Sequence, residues 1–325
     1  MQEHFLSNIE IIDYKCFKNF KAKDFKRINL ISGRNNVGKT AFMEALIINL
    51  NSKDIKTISS YLGIININRN LLEYLYEDIK KDMMEEYKDN LNKAYFDVKS
   101  NLCSSKFFVN EENGIKKFCF TINEKEILIN INEFSYEIDS VKNIYFIDSL
   151  GFTNNELKNK YEAIQQNDKE IILNQYINNF DSFIENFKII GGKKPQCKTI
   201  NGIYRDINEF GDGLKHYIGI ICSLYSCENG QLFIDEIDNG IHYSQLEKLW
   251  EIIFTISKEV NCQVFATTHS KEMINAYAKV SQKLEDEDIS FIELGKNKDN
   301  EVKANVYDKE MFLYELNQNH EVRGW

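Results

Sequence analysis

"GRNNVGKT" (33–40) is the stretch whose reading decides the fold. Its spacing is G-x-x-x-x-G-K-[ST]. The apolar "INLIS" before it predicts a strand, and the good helix formers after Gly38 predict a helix. A loop in that setting aims backbone N–H groups and a positive helix end at one spot, which suits a phosphate. Gly33 and Gly38 allow a backbone path that a Cβ would obstruct. Lys39 is placed to put a point charge on the β- and γ-phosphates, and Thr40 to offer its hydroxyl to Mg2+. Arg34, Asn35, Asn36, Val37 and Ala41 complete the candidate cradle. The expectation is a nucleotide-binding protein.

Two later strands fit that expectation. "QLFIDE" (231–236) is an apolar run that ends in two carboxylates. Asp235 suits a role in the shell of a magnesium ion, and Glu236 that of a general base acting on water. "QVFATTHS" (263–270) is a second apolar strand followed by His269. A histidine there lies at the strand edge where open α/β sheets bind ligands. It is placed to hydrogen-bond a γ-phosphate or orient water, while Ser270 caps the next helix.

Composition bounds the class. The chain has 325 residues, 43 % apolar and 28 % charged, as expected of a soluble globular protein with a large core. The apolar run "YIGIICSLY" (217–225) is too short to span a bilayer, and the N-terminus lacks the basic and apolar regions of a signal peptide. The seven cysteines are scattered, with no CxxC pair, which reads as reduced thiols in a cytoplasmic protein with no zinc site. A net charge of −10 does not suit a protein that coats nucleic acid with its whole surface. "FKNFKAKDFKR" (17–27) is the best candidate for a local basic face.

Three blocks of one domain are expected: 1–62, 63–195 and 196–325. In the first, "SNIEIIDY" and "RINLISG" read as strands separated by a polar, Lys-rich turn region. The middle block has helical spacing over 70–96, then alternating strands with Asn113–Gly114 as a hairpin signal, then helical spacing from 154 to 188. "GGKKPQ" (191–196) reads as its closing turn. In the last block a helix near Gly213, strand 231–235, helix 243–259, strand 262–268, a helix after Ser270, two strands and a final helix alternate. That order points to a parallel-type α/β sheet.

Taken in order, "GRNNVGKT", "FGDGLKH" (210–216), "LFIDEIDNGIHYS" (232–244) and "VFATTHS" (264–270) resemble the ABC-type ATPase heads of the SMC/RecF group, in particular the stand-alone ATPases related to the OLD proteins. The resemblance implies an α/β P-loop NTPase fold with a mixed central sheet flanked by helices and an α+β insertion. It implies ATP and Mg2+ as ligands and a head-to-tail homodimer, or a higher oligomer of it, with two ATP molecules between subunits. In that arrangement "FGDGLKH" is the loop lent to the neighbour, with Gly211 and Gly213 near its γ-phosphate. Asp238 falls in the loop that touches the opposite subunit, and Lys15 falls where these heads carry a basic residue near the nucleotide. The usual serine is replaced by Gly211, Asp212 follows it, and a Q-loop is missing, all of which weigh against a transporter ATPase.

Function follows the family: an ATP-hydrolysing switch in DNA transactions or phage defence, with DNA or a nuclease or toxin effector as partner and no membrane. OLD proteins end in a TOPRIM nuclease domain, and the stretch after His269 is too short for one. "EDEDIS" (285–290) mimics its Asp-x-Asp and reads as an acidic loop, so nuclease activity is expected from a partner chain. The alternative is a regulatory ATP sensor of a toxin or nuclease system that does not itself bind DNA. A GTPase or small-molecule kinase fits less well, because "NKDN" (297–300) lacks the final aspartate of the guanine motif and no lid motif is present.

Overall fold

The structure, a computed structural model, describes residues 4–52, 57–58, 95–112, 115–130, 143–192 and 194–318. In chain order its elements are β1 (Asn8–Tyr14), β2 (Phe17–Lys23), β3 (Ile28–Gly33) and α1 (Lys39–Asn51). Then come β4 (Phe96–Ser100), β5 (Ser104–Glu112), β6 (Ile115–Ile122), β7 (Lys125–Asn130) and β8 (Ile144–Ile147). α2 (Asn154–Gln166) and α3 (Glu170–Phe180) precede β9 (Ile184–Ile190), β10 (Lys194–Thr199) and β11 (Tyr204–Asp206). The last part holds α4 (Asp212–Ser226), β12 (Gln231–Ile234), α5 (Leu246–Glu259), β13 (Gln263–Thr268), α6 (Lys271–Lys283), β14 (Ile289–Lys296), β15 (Val302–Tyr307) and α7 (Lys309–Asn317).

The central sheet has the order β15-β14-β3-β13-β12-β8 among the described strands. β14, β3, β13, β12 and β8 run parallel, and β15 closes one edge antiparallel to β14. The near-continuous apolar character of these strands follows from burial on both faces. Leu30, Leu232, Ile234, Val264 and Ala266 face a core shared with α2 to α6. Ile31, Phe233 and Phe265 face the other side, toward α1. α1 is enclosed there by an antiparallel sheet, β2-β1-β4-β5-β6-β7, whose Phe17, Phe20, Phe96, Phe107 and Phe120 are buried against it. A third sheet, β11-β10-β9, leads into α4. The mixed, helix-flanked sheet is the fold the sequence predicts.

Several local expectations are corrected. The Lys-rich region between β1 and β3 is the strand β2, because Phe17, Phe20 and Ala22 turn inward while its lysines stay out. Lys18 pairs with Asp13, and Lys21 with Glu10 at 2.9 Å, both on β1, so much of the candidate basic face is neutralised. Helical spacing over 154–188 gives two helices and a strand rather than helix throughout. α3 stops at Phe180, where Asp181 is extended and its carboxylate accepts from Phe183 N at 2.9 Å. Ile184 and Phe187 then pack inward from β9, which pairs with β10. Gly191 and Gly192 form the turn that "GGKKPQ" signals, with φ of 61° and 68°, and it joins two paired strands of one sheet.

Other expectations match. β5 and β6 pair with Glu112 opposite Ile115, the hairpin that Asn113–Gly114 signals; residues 113–114 lie outside the described residues, as does 70–94 of the expected long helix, whose last residue, Phe96, opens β4 instead because it pairs opposite Phe107. Ser270 caps α6 by accepting from Met273 N at 3.2 Å. The strands of 63–195 are divided among all three sheets, since β8 joins the central one.

The acidic "EDEDIS" has a structural role. Asp286 pairs with the buried guanidinium of Arg27, which also donates to Ser257 Oγ and to Phe254 O at 3.2 Å, while Asp288 stands 3.8 Å from it. Arg27 opens the approach to β3, so this pair fastens the β14 end of the sheet to α5. Arg27→Met should destabilise the fold by about 3 kcal/mol in urea denaturation, because it leaves the largely enclosed Asp286 carboxylate without its cation. Asp288→Ala, at a half-exposed position, should cost under about 1 kcal/mol.

Candidate active site

The parallel strands deliver their carboxyl ends to one edge, and the predicted site residues lie along it. β3 runs into the loop Gly33–Thr40. Gly33 is tightly enclosed: a Cβ there would come within 2.6 Å of Leu294 O and 2.8 Å of Val37 Cγ1. Gly38, at φ 109°, is the N-cap of α1, and a Cβ on it would meet Cys16 Sγ at 2.6 Å. No side chain caps this helix and its first turn has no acid, so its leading N–H groups suit an anion. Asn36 adopts φ 61°, a left-handed bend that asparagine tolerates. Arg34, Asn35 and Asn36 are exposed, while Val37 and Ala41 anchor the loop in the core.

Lys39 folds over this cradle, donating to Gly33 O at 2.9 Å and Arg34 O at 3.3 Å. Burial lowers its pKa, against the opposing pull of Asp235, Glu236 and Asp238. Thr40 Oγ1 donates to Asp235 Oδ2 at 2.8 Å, although the two residues are far apart in sequence. The other oxygen of Asp235 accepts from Thr267 Oγ1 at 2.5 Å. A buried carboxylate beside a threonine hydroxyl offers the hard oxygen donors that suit Mg2+, so the residues fit that ion. Among the described residues no cluster of three or more His, Cys, Asp and Glu side chains could hold a metal without help from a substrate.

Glu236 follows Asp235 with φ 51°, a costly conformation for a glutamate; its N–H is held by Thr267 Oγ1 at 2.9 Å. The bend leaves its carboxylate half exposed, 4.0 Å from His269 Nδ1. The two groups assigned to water and γ-phosphate therefore share one place at the ends of β12 and β13.

The remaining predicted residues lie around this edge. Gly211 is exposed at φ 83°, with open space where a Cβ would project. Gly213 is different: a Cβ there would sit 2.0 Å from Gly240 O, so its bare backbone packs against the loop after Asp235–Glu236. Asp238 accepts from Thr268 Oγ1 at 2.6 Å, within its own chain. Lys15, at φ 51° in the β1–β2 turn, pairs with the buried Glu44 of α1, and Tyr14 Oη donates to the same carboxylate at 3.2 Å. That pair brings the β1–β2 turn beside Gly38.

Sequence reading missed three groups. Asp148 follows β8, and Ile147 stands opposite Ile234, so Asp148 is the neighbour of Asp235. Burial first, and the charges of Glu156 and Asp235 further, push its pKa up. The apolar "IYFID" (144–148) repeats the pattern of "LFID", which is the signal that marks it. Thr267, which holds both Asp235 and Glu236, carries no signal beyond its place in a strand. His216 of α4 is buried, with Nε2 unpartnered among the described residues and a hydrogen bond to the Ile237 backbone; burial lowers its pKa to about 4.

With this geometry in hand, known proteins give the following likenesses. Residues 147–274 match the AAA ATPase domain family. The chain is 24 % identical to the "ATP/GTP phosphatase" of Helicobacter pylori (strain ATCC 700392 / 26695), over 85 % of this chain and 88 % of that one. An SMC head bound to the C-winged helix domain of ScpA is similar with a TM-score of 0.54 and 12 % identity, over 94 % of this chain and 99 % of that one. A Pyrococcus furiosus SMC head with an extended coiled coil, bound to the C-terminal domain of ScpA, has a TM-score of 0.50 and 11 % identity, over 97 % and 99 %. The fold is that of the ABC-type P-loop ATPase heads.

His216 gives the site a measurable acid sensitivity. Its folded pKa of about 4 lies below the ordinary 6.5, so the unfolded chain takes up a proton first as pH falls. Stability from its neutral burial is complete above pH 6.5 and drains between there and pH 4, by about 3 kcal/mol. His216→Gln should lack this loss, and its urea-denaturation stability should gain on the wild type by that amount between pH 7 and pH 4. Parallel curves would contradict the assignment.

Proposed function

We propose that this chain is an ATP-binding and ATP-hydrolysing switch that closes as a head-to-tail homodimer, its described parts working as one ATPase domain. The observation that carries the reading is one edge of one sheet that holds the phosphate cradle, the Thr40–Asp235 bond and the Glu236–His269 pair. ATP lies along Gly33–Thr40, with Lys39 on its β- and γ-phosphates. Thr40 and, through its shell, Asp235 would hold Mg2+, which neutralises charge on the β- and γ-phosphate oxygens. Glu236 accepts a proton from water as the water oxygen bonds to the γ-phosphorus and the bond to ADP breaks. His269 hydrogen-bonds the γ-phosphate and stabilises the charge that develops on it.

The exposed loop of Gly211 and Asp212 is the face offered to the second subunit's ATP. It opens α4, so its N–H groups suit a phosphate there. Asp212, exposed in the first turn, turns its charge to solvent. Within the family reading the chain is an OLD-like ATPase that serves DNA transactions or phage defence through an effector chain. SMC heads of this fold are seen bound to domains of ScpA, a precedent for a head of this fold that binds a separate protein. The reading as an ATP sensor that does not touch DNA gains support from the net charge of −10 and from the pairing of Lys18 and Lys21 on the candidate basic face.

Glu236→Gln should lower kcat for ATP by about a hundredfold or more while leaving ATP bound, and should accumulate a dimer in light scattering with ATP and Mg2+. Lys39→Ala should lose ATP binding in calorimetric titration. A Glu236→Gln chain that binds ATP and stays monomeric would end the dimer mechanism while sparing the ATPase one.

A further inference from the structure

His269 is half exposed, and the hydrogen bonds that set its position come from its neighbours. Thr268, immediately before it, is fully buried at the end of β13. Its hydroxyl does two things. It donates to Asp238 Oδ1 at 2.6 Å, and it accepts from Ser270 N at 3.0 Å. One oxygen thus ties together the backbone on both sides of His269 and fastens that corner to the loop after Glu236.

Asp238 sits in a short segment that touches three other parts of the edge. Ile237 N donates to Thr267 O at 3.0 Å. Asn239 Nδ2 donates to Ser149 O, next to Asp148, at 2.6 Å. Gly240 packs backbone to backbone on Gly213 of the exposed loop. The segment has little freedom, so Asp238 is a fixed acceptor.

We propose that Asp238 and Thr268 are positioning residues that hold His269 at the γ-phosphate, and that Asp238 acts within its own chain in doing so. The proposal rests on the ATPase reading above. Its physical content is a two-bond chain, Asp238 to Thr268 to Ser270, that fixes the turn on which His269 is carried. Through Gly240 and Gly213 the same segment connects that turn to the loop offered to the partner, so docking of a second copy bears on His269 through backbone contact.

The test is steady-state ATP hydrolysis by the full chain. Thr268→Val, nearly isosteric, should lower kcat about tenfold or more with KM for ATP within about twofold of wild type, while Thr268→Ser, which keeps the hydroxyl, restores the rate. Asp238→Ala removes the same bond from the other side and should lower kcat alike; it carries the test if Thr268→Val does not fold. The double variant should be no slower than the worse single one, because both break one link. Wild-type kcat in a folded Thr268→Val, or single effects that multiply in the double variant, overturns the proposal. His269→Ala separates the two levels: if it hydrolyses ATP at the wild-type rate, the role given to His269 fails and the positioning proposal with it. If it is impaired while Thr268→Val is not, only the positioning proposal fails.

Discussion

Burial of both faces of the parallel sheet is the constraint on which the rest depends. With α1 and the antiparallel sheet on one side and α2 to α6 on the other, the middle of each central strand has no room for unpaired polar groups. Chemistry is displaced to the carboxyl ends, where the strands run out and loops begin. Asp235, Glu236, His269 and Asp148 all lie just past such an end, and Lys39 opens the helix that follows the loop after β3. The site is thus a consequence of how the sheet is covered.

At that edge the charges are unequal. Asp235, Glu236 and Asp238 act on the half-buried Lys39, Asp148 stands beside Asp235, and the Lys39 ammonium folds onto loop carbonyls. Threonine hydroxyls supply much of the local hydrogen bonding: Thr40 and Thr267 to Asp235, Thr268 to Asp238. Hydroxyl donors hold carboxylates in place without neutralising them. A site built this way keeps its affinity for cations, which suits Mg2+ carried in with a triphosphate.

The two glycines of "FGDGLKH" differ in kind. Gly211 faces open space with a positive φ, while Gly213 is pressed against Gly240. The first leaves the loop exposed, and the second fixes the helix behind it to the edge of the sheet. His216, buried one turn further along α4 with Nε2 unpartnered among the described residues, shows how tightly that helix is seated beneath residues 237–238.

The sequence by itself determined the fold class and the principal members of the edge. The phosphate loop, the carboxylate strand and the histidine strand each carry a local signal, because glycine, charge and apolar runs obey rules that act over a few residues. Tertiary structure decided what those residues touch. The Thr40–Asp235 bond, the bracing of His269 by Thr268 and Asp238, and the pairing of Lys15 with Glu44 join distant segments. So do Arg27 with Asp286 and Gly213 on Gly240. Spacing could not reveal them, and helical spacing misread β9 because pairing with β10 outweighs a weak local preference. Asp148 lies between the two cases: its strand pattern was legible, but only the register of β8 against β12 placed it beside Asp235. Local physics writes the elements into the sequence; which side chains meet is set by the packing of elements far apart along the chain.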